Sequence, residues 1–532
     1  MNEEKKNILH LATSVLIVFG IYGCGGSKKN NESPAEPTYM PSPTTNPTPD
    51  RGEDPLFSQQ WYLKNNGQSA GAENGGTSGE DMHITDVWNT YTGSKEYAIA
   101  IVDDGIDVDH PDLVDNLDLS MSYKYSDGSN IPSPINDRSP HGTCVSGIIA
   151  AKGWNDIGIR GIVPNARIVG LNVISMLTEA NLVDALSRDG IAISSNSWGF
   201  SSNSLNELDS VVNAVQNGCE KGRDGKGTVY IFASGNNRGE NSNGNANLSA
   251  LANNRYAISV AAVNADGKYA SYSSFGSSIW ISGFGGEYGK KKPAIVSTDL
   301  IGLDRGWDTT DEHFEAAGNE NGDYTNLMNG TSAACPTVTG VVALIMEANP
   351  SLSWRDIRYV LAHSARKNDV QDMNWTTNGA GRSINYNYGF GVVDAQTAVA
   401  FAHDFGGLGN EKIEIFEKNT NVAIPDDKHK SIESNIAVDK DITVEYIDLY
   451  ITISGSQRNV GDLEIKLISP MGTESILAWG DVNTYGVYDN WRFGTVRNLD
   501  ENSKGNWKLE IRDVDANSDY TLTNWKLKIY GH

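Results

Sequence analysis

Three residues of this 532-residue chain have the types that acyl transfer needs, and they occur in the order Asp103, His141, Ser332. Ser332 lies in "NGTSAACPTVTGVVALIMEANP" at 329–350, where small residues precede a long apolar run. The pattern predicts a buried helix opening at the serine, where unpaired backbone N–H groups and the positive dipole end favour developing negative charge. An isolated serine in that place is ordinarily an N-cap, with Pro336 accommodated in the first turn. Two other segments argue for more. In "EYAIAIVDDGIDVDHPDL" at 96–113 the apolar run Ala98 to Val102 reads as a buried strand broken by Asp-Asp-Gly, which puts Asp103 at the strand's carboxyl end. That edge of an open α/β sheet is where ligand sites form. His141, in "SPHGTCVSGIIAAKG" at 139–153, starts a second apolar helical run. A serine nucleophile, a histidine base and a carboxylate that orients it form the minimum set for cleaving an acyl bond.

The chain is long enough for two or three domains, and 39% hydrophobic content with 55 glycines suits a loop-rich globular protein. A formal charge of -25 argues against nucleic acid, whose binding requires phosphates to be neutralised. Residues 1–24 read as an export signal: Lys5 and Lys6, an apolar run, then Gly-Cys. The ending resembles a bacterial lipoprotein signal in which Cys24 is lipidated, although Tyr22 is unusual there, and an uncleaved anchor is the alternative. Residues 25–53, rich in Pro, Ser, Thr and Asn, cannot build a core and read as a tether. The three cysteines after Cys24 exclude a complete disulfide framework and match no zinc spacing, so packing thiols are expected. Cys144 and Cys335, each three residues past a candidate site residue, would approach each other if their helices pack side by side.

The order Asp, His, Ser with "HGT" and "GTSA" resembles the subtilisin-type serine proteases, and the kexin/furin proprotein convertase branch in particular. "DPLFSQQWYL" at 54–63, "IVDDGIDVDHPDL" at 101–113, "VYIFASGN" at 229–236, "EANPSLSWRDIRYVL" at 347–361 and "YGFGVVDA" at 388–395 carry the resemblance. It implies an α/β, subtilisin-like parallel-sheet peptidase domain over 54–405, with Ser332 as nucleophile, His141 as base and Asp103 as its partner. It also implies Asn236 as oxyanion donor, and Ser197, Trp198 and Gly199 as an edge that pairs with an extended peptide. After 405 the pattern becomes short alternating strands. Residues 411–532 resemble the convertase P-domain, an all-β jelly roll, with a carbohydrate-binding module as the other reading of those strands.

The resemblance implies calcium, held by the side chains of Asp54, Asp112 and Asn155 and by backbone carbonyls near Lys152, Ile157 and Ile159. A second convertase calcium site is expected to be absent, its acids replaced by Ser202, Ser242 and Ser274. The pocket for the residue before the cut has Ser202 and Asn247 where convertases carry acids, so strict preference for basic residues is not expected. Asp104, and with it Asp137, matches acids that contact the neighbouring substrate residue. The insertion at 304–323 holds seven acids against one arginine and would attract basic peptides over a distance. Between Cys24 and Asp54 there is no room for a propeptide domain, so a folding partner in trans is expected, or none. The reading is a calcium-dependent serine endopeptidase of the bacterial cell envelope, lipid-anchored at the outer membrane or cell surface, or secreted, and acting on protein or peptide substrates. The alternatives are a dibasic-specific kexin-like protease and a noncatalytic surface adhesin.

Overall fold

The computed structural model describes residues 52–532 apart from 200–204, 206–207, 240–241, 456–458, 481–483, 485 and 516–518. Cys24, the signal and most of the tether therefore lie outside the described residues, as does Ser202.

A seven-stranded sheet forms the centre of the first fold. Its strands are β1 (Ala98–Asp103), β2 (Tyr123–Lys124), β3 (Arg167–Asn172), β4 (Ile191–Asn196), β5 (Val229–Ala233), β6 (Ala257–Val263) and β7 (Ile281–Phe284), in the order β2-β3-β1-β4-β5-β6-β7. Every pairing is parallel. Parallel sheets need cover on both faces, and β1, β4, β5, β6 and β7 are buried at every position. The covering helices include α1 (His141–Ala150), α2 (Glu179–Leu186), α3 (Asp209–Lys221), α4 (Thr331–Ala348), α5 (Trp354–Ser364) and α6 (Ala395–Asp404). Helix α4 crosses the sheet against β4 to β7 and packs beside α1. An antiparallel pair, β8 (Ile295–Thr298) and β9 (Tyr324–Met328), leads into α4 and carries the 304–323 insertion between its strands. α4 is apolar and long enough to cross a membrane, but as a core helix it is 83% buried in the protein.

The second fold is a sandwich of two antiparallel sheets. One has the order β10 (Lys412–Ile424), β17 (Tyr520–Gly531), β12 (Val444–Gly455), β15 (Trp491–Thr495); the other is β11 (Ser431–Val438), β16 (Gly505–Asp513), β13 (Leu463–Ile468), β14 (Glu474–Trp479). Strict alternation of exposed and buried residues along β11 marks a strand with one wet face. The sandwich has its own core, with Trp507 and Trp525 at its centre. Four of its residues, Tyr446, Val496, Leu499 and Tyr530, belong instead to the core of the first fold.

All three described cysteines are free and buried. Although α1 and α4 pack together, the Cys335 thiol faces Ser195 Oγ at 3.8 Å and the carbonyls of Asn196 and Ile231. Their role is packing, with burial pushing each thiol above its ordinary pKa.

Candidate active site

The site is assembled at the carboxyl ends of the strands. Asp103 closes β1, His141 is the first residue of α1, and Ser332 is the second residue of α4. The N-cap of α4 is Gly330 at φ 97°, a left-handed conformation that suits glycine, so Ser332 is not the cap. Pro336 stands in the second turn rather than the first. Its missing N–H leaves the Ser332 carbonyl without its intrahelical bond.

His141 Nδ1 and Asp103 Oδ1 are 2.8 Å apart, and the same oxygen accepts from the Asp104 N–H. Asp103 is 1% exposed, and its Oδ2 is buried with no hydrogen-bond partner among the described residues. Burial disfavours the charged imidazole, but Asp103, by charge and hydrogen bond, and then Asp104 outweigh it and raise His141 to about 9. Asp104 caps the start of α1, accepting the Gly142 N–H at 2.7 Å. Burial and the adjacent Asp103 raise it to about 8. The hydroxyl of Ser332 donates to the Ser197 carbonyl at 2.8 Å, not to His141. Hydrogen bonds between a nucleophile and its base often form or tighten only with substrate in place.

Asn236 follows β5 by three residues. Its Oδ1 accepts from both the N–H and the hydroxyl of Thr331, at 2.9 Å each. That fixes the amide, and its Nδ2 makes no bond among the described residues. A donor held this way suits an oxyanion. Ser197, Trp198 and Gly199 continue the line of β4 beyond the sheet; the Trp198 indole is tied to the Val102 carbonyl at 2.8 Å, while Gly199 is exposed with open space above it.

Two sequence expectations need correction, those for Asn247 and for the acidic insertion. Asn247 does not face the cleft: it is 0% exposed, donates to Ser277 Oγ at 2.7 Å and accepts the Gly494 N–H of the sandwich at 2.8 Å. Counting residues on from "ASGN" assumed a loop of fixed length, and this loop turns away to the seam between the folds. Asp137 pairs with Arg305 at 2.9 Å at the surface, where its side chain stays 68% exposed. Asp308 and Asp323 of the insertion are buried, and Asp308 accepts from Phe314 N and Asn319 Nδ2, so part of the acidic charge holds the loop together. The structure also adds a residue. Trp307 of that insertion stands edge-on to the His141 ring, with centroids 6.4 Å apart. No local pattern in the insertion signals this.

The residues expected to hold calcium converge from three segments. Asp54 accepts N–H groups of Trp154 and Asn155 and pairs with Arg160 at 2.7 Å, so its charge is met. Asp112, 0% exposed, accepts from Asn155 Nδ2, Ile159 N and the Tyr324 hydroxyl but pairs with no cation among the described residues. Burial pushes it up to about 7. The carbonyls of Lys152, Ile157 and Ile159 accept no hydrogen bond among the described residues, and Ile159 is wholly buried. A buried carboxylate lacking a cation, an orphaned buried carbonyl and an Asn155 amide that a half-turn would present oxygen-first form an oxygen set that fits a hard cation.

Residues 94–391 match the model of the subtilase family, and residues 444–529 match that of the proprotein convertase P-domain. An extracellular serine protease of Aeromonas sobria is 32% identical, covering 90% of this chain and 91% of its own length. Neuroendocrine convertase 2 of Bos taurus is also 32% identical, over 90% of this chain and 74% of the relative. The crystal structure of the Aeromonas sobria serine protease with the chaperone ORF2 superimposes with a TM-score of 0.84 at 30% identity, over 90% of this chain and 95% of that one.

Proposed function

The chain belongs to the subtilase family, with a P-domain behind the catalytic fold, and from that premise we propose that Ser332, His141 and Asp103 are its catalytic triad. The protein is a subtilisin-like serine endopeptidase. The observation that carries the residue assignment is the 2.8 Å bond between His141 Nδ1 and the buried Asp103, at the same sheet edge as Ser332. In this reading Asp103 fixes the imidazole tautomer. Nε2 takes the Ser332 proton as Oγ attacks the scissile carbonyl, then returns it to the leaving amine. Asn236 Nδ2 and the Ser332 N–H receive the oxyanion, and 197–199 pair with the substrate backbone without reading its sequence. We take 54–405 as the peptidase domain and 411–532 as the P-domain. A fluorophosphonate probe tests the reading: it should label Ser332, and a folded protein that stays unlabelled would favour an adhesin.

The raised imidazole has a kinetic consequence. Catalysis needs neutral His141, so kcat/KM should climb with pH through an alkaline limb. Asp104→Asn removes a negative neighbour and disfavours the imidazolium. The limb should therefore move to lower pH by roughly half to one unit, read from a kcat/KM profile on a peptide substrate. An unmoved limb would remove Asp104 from the account.

The enzyme is read as calcium-dependent, with Asp54, Asp112 and Asn155 and the carbonyls of Lys152, Ile157 and Ile159 as ligands. A bound ion would cross-link the segments at 54, 112 and 152–159 and supply the positive charge Asp112 lacks. Chelation should lower the melting midpoint by about 5 °C or more while changing kcat little, because ligand binding stabilises by mass action. Asp112→Ala should reproduce the loss and abolish the response to chelator. An unchanged midpoint would count against the site.

We read the chain as exported and tethered through Cys24, or secreted; the Aeromonas relative is described as extracellular. A folding partner in trans gains support from that relative's complex with a chaperone. Broad rather than dibasic specificity is proposed because Ser202 carries no charge and Asn247 is committed to the seam. Profiling on a random peptide library decides it: strict cleavage after Arg or Lys at high salt would restore the kexin-like reading.

A further inference from the structure

Where the catalytic fold meets the P-domain, a partly open cavity is lined by Arg255, Arg355 and Arg358 from the first fold and by Glu445 and Tyr446 from the second, with the Trp280 indole in its wall. Arg358, on α5, is 4% exposed, and its guanidinium lies 4.0 Å from the centroid of the Trp280 ring. Its Nε and Nη2 are buried with no hydrogen-bond partner, and no carboxylate lies within ion-pairing distance, among the described residues.

The neighbours do not supply the missing charge. Arg255, 2% exposed, pairs with Glu411, yet its Nε has no partner among the described residues. Arg355 takes Glu445 through Nε at 3.0 Å, and Glu445 is shared with His532 at 3.0 Å. Asp448 is outside the cavity lining: its Oδ2 accepts from the Tyr530 hydroxyl at 2.8 Å, and its buried Oδ1 has no hydrogen-bond partner and no ion pair among the described residues. Three guanidiniums therefore line a cavity with one lining carboxylate, Glu445, which Arg355 and His532 take; Glu411 serves Arg255, and Arg358 is left without an ion pair among the described residues. A buried unpaired cation is costly, and stacking on an indole recovers only part of that cost. Burial, and then the nearby Arg255, bring Arg358 down to about 10, the direction expected of a charge short of an anion.

We propose that this cavity binds a monatomic anion, chloride in ordinary salt, between Arg358 and Arg255, and that the ion is a structural part of the seam between the two folds. The cavity has room for at most one small occupant, which favours a monatomic ion over sulfate, phosphate or an organic carboxylate. A water would satisfy an N–H but bring no charge.

Melting of the full-length protein tests this at constant ionic strength, with chloride or bromide exchanged for gluconate, which is too large to enter. The midpoint should rise by about 2–4 °C in halide and saturate, and bromide-soaked crystals should give an anomalous peak beside Arg358. Arg358→Leu should lose both the halide response and the peak. Should that variant fail to fold, Arg358→Lys keeps the charge and should retain a weaker response. A cavity holding water alone, or a halide response identical in wild type and Arg358→Leu, overturns the proposal.

Discussion

Ser332→Ala should yield a folded protein whose kcat is lower by about 10⁶-fold, the loss that removal of the nucleophile causes in subtilisin. Folding should survive because among the described residues the Ser332 hydroxyl makes a single bond, to the Ser197 carbonyl, and the helix it sits on is started by Gly330 and held by an apolar face buried across the sheet. What remains would be the rate supplied by Asn236, the Ser332 N–H and the peptide-pairing edge, about 10³–10⁴ above water. His141→Ala should cost about as much, and combining the two should cost scarcely more, since the groups act as a unit. Single-turnover cleavage of a peptide reads all three variants. A loss below about 10³-fold for Ser332→Ala would mean that another group is the nucleophile.

The parts legible in the sequence were those set by local pattern. A buried apolar run ending in Asp-Asp-Gly reads as an interior strand with Asp103 at its end, and the small-then-apolar runs at His141 and Thr331 read as buried helices, while the joining of the three residues into one site came from the family resemblance. Residues whose roles depend on where a loop goes were not legible. Asn247 was placed by counting from a motif, but the loop carries it into the seam, where its amide serves Ser277 and Gly494. The insertion was read as a charged field, whereas Asp299 at its base accepts the N–H groups of Trp307 and Asp308 and folds the loop back so that the indole meets His141. The unpaired Arg358 was equally hidden: "SWRDIRYVL" gives a good amphipathic helix, and only tertiary packing reveals that this arginine lies on the buried side.

Removing residues 411–532 should leave insoluble or inactive protein. The seam contains many hydrogen bonds, among them Val496 N to the Ser277 carbonyl at 3.0 Å, Tyr446 Oη to the Asn253 carbonyl at 3.0 Å and Asn378 Nδ2 to the Leu499 carbonyl at 2.8 Å. Their loss is not the decisive term. Water can replace each partner once the face is open, and the net worth of such a bond is about 1 kcal/mol. Buried Arg255 and Arg358 would even gain solvation. Apolar cover is different, because water cannot replace it. Trp280 and Trp354 line one cavity together with Tyr446 and Leu499, while Phe275 and Tyr386 meet Trp479 edge-on at 4.9 and 5.2 Å. Uncovering this aromatic face, along with the places that Tyr446, Val496, Leu499 and Tyr530 fill in the catalytic core, creates a contiguous patch of the kind that aggregates. In the full-length chain, Val496→Asp should act in the same direction on a smaller scale, lowering the melting midpoint by several degrees through a charge placed in the apolar core that Val496 joins. Soluble yield, midpoint and peptide cleavage measure both variants. Normal cleavage by a soluble truncated form would mean that the two folds are tethered neighbours and that the four core residues of the sandwich are dispensable.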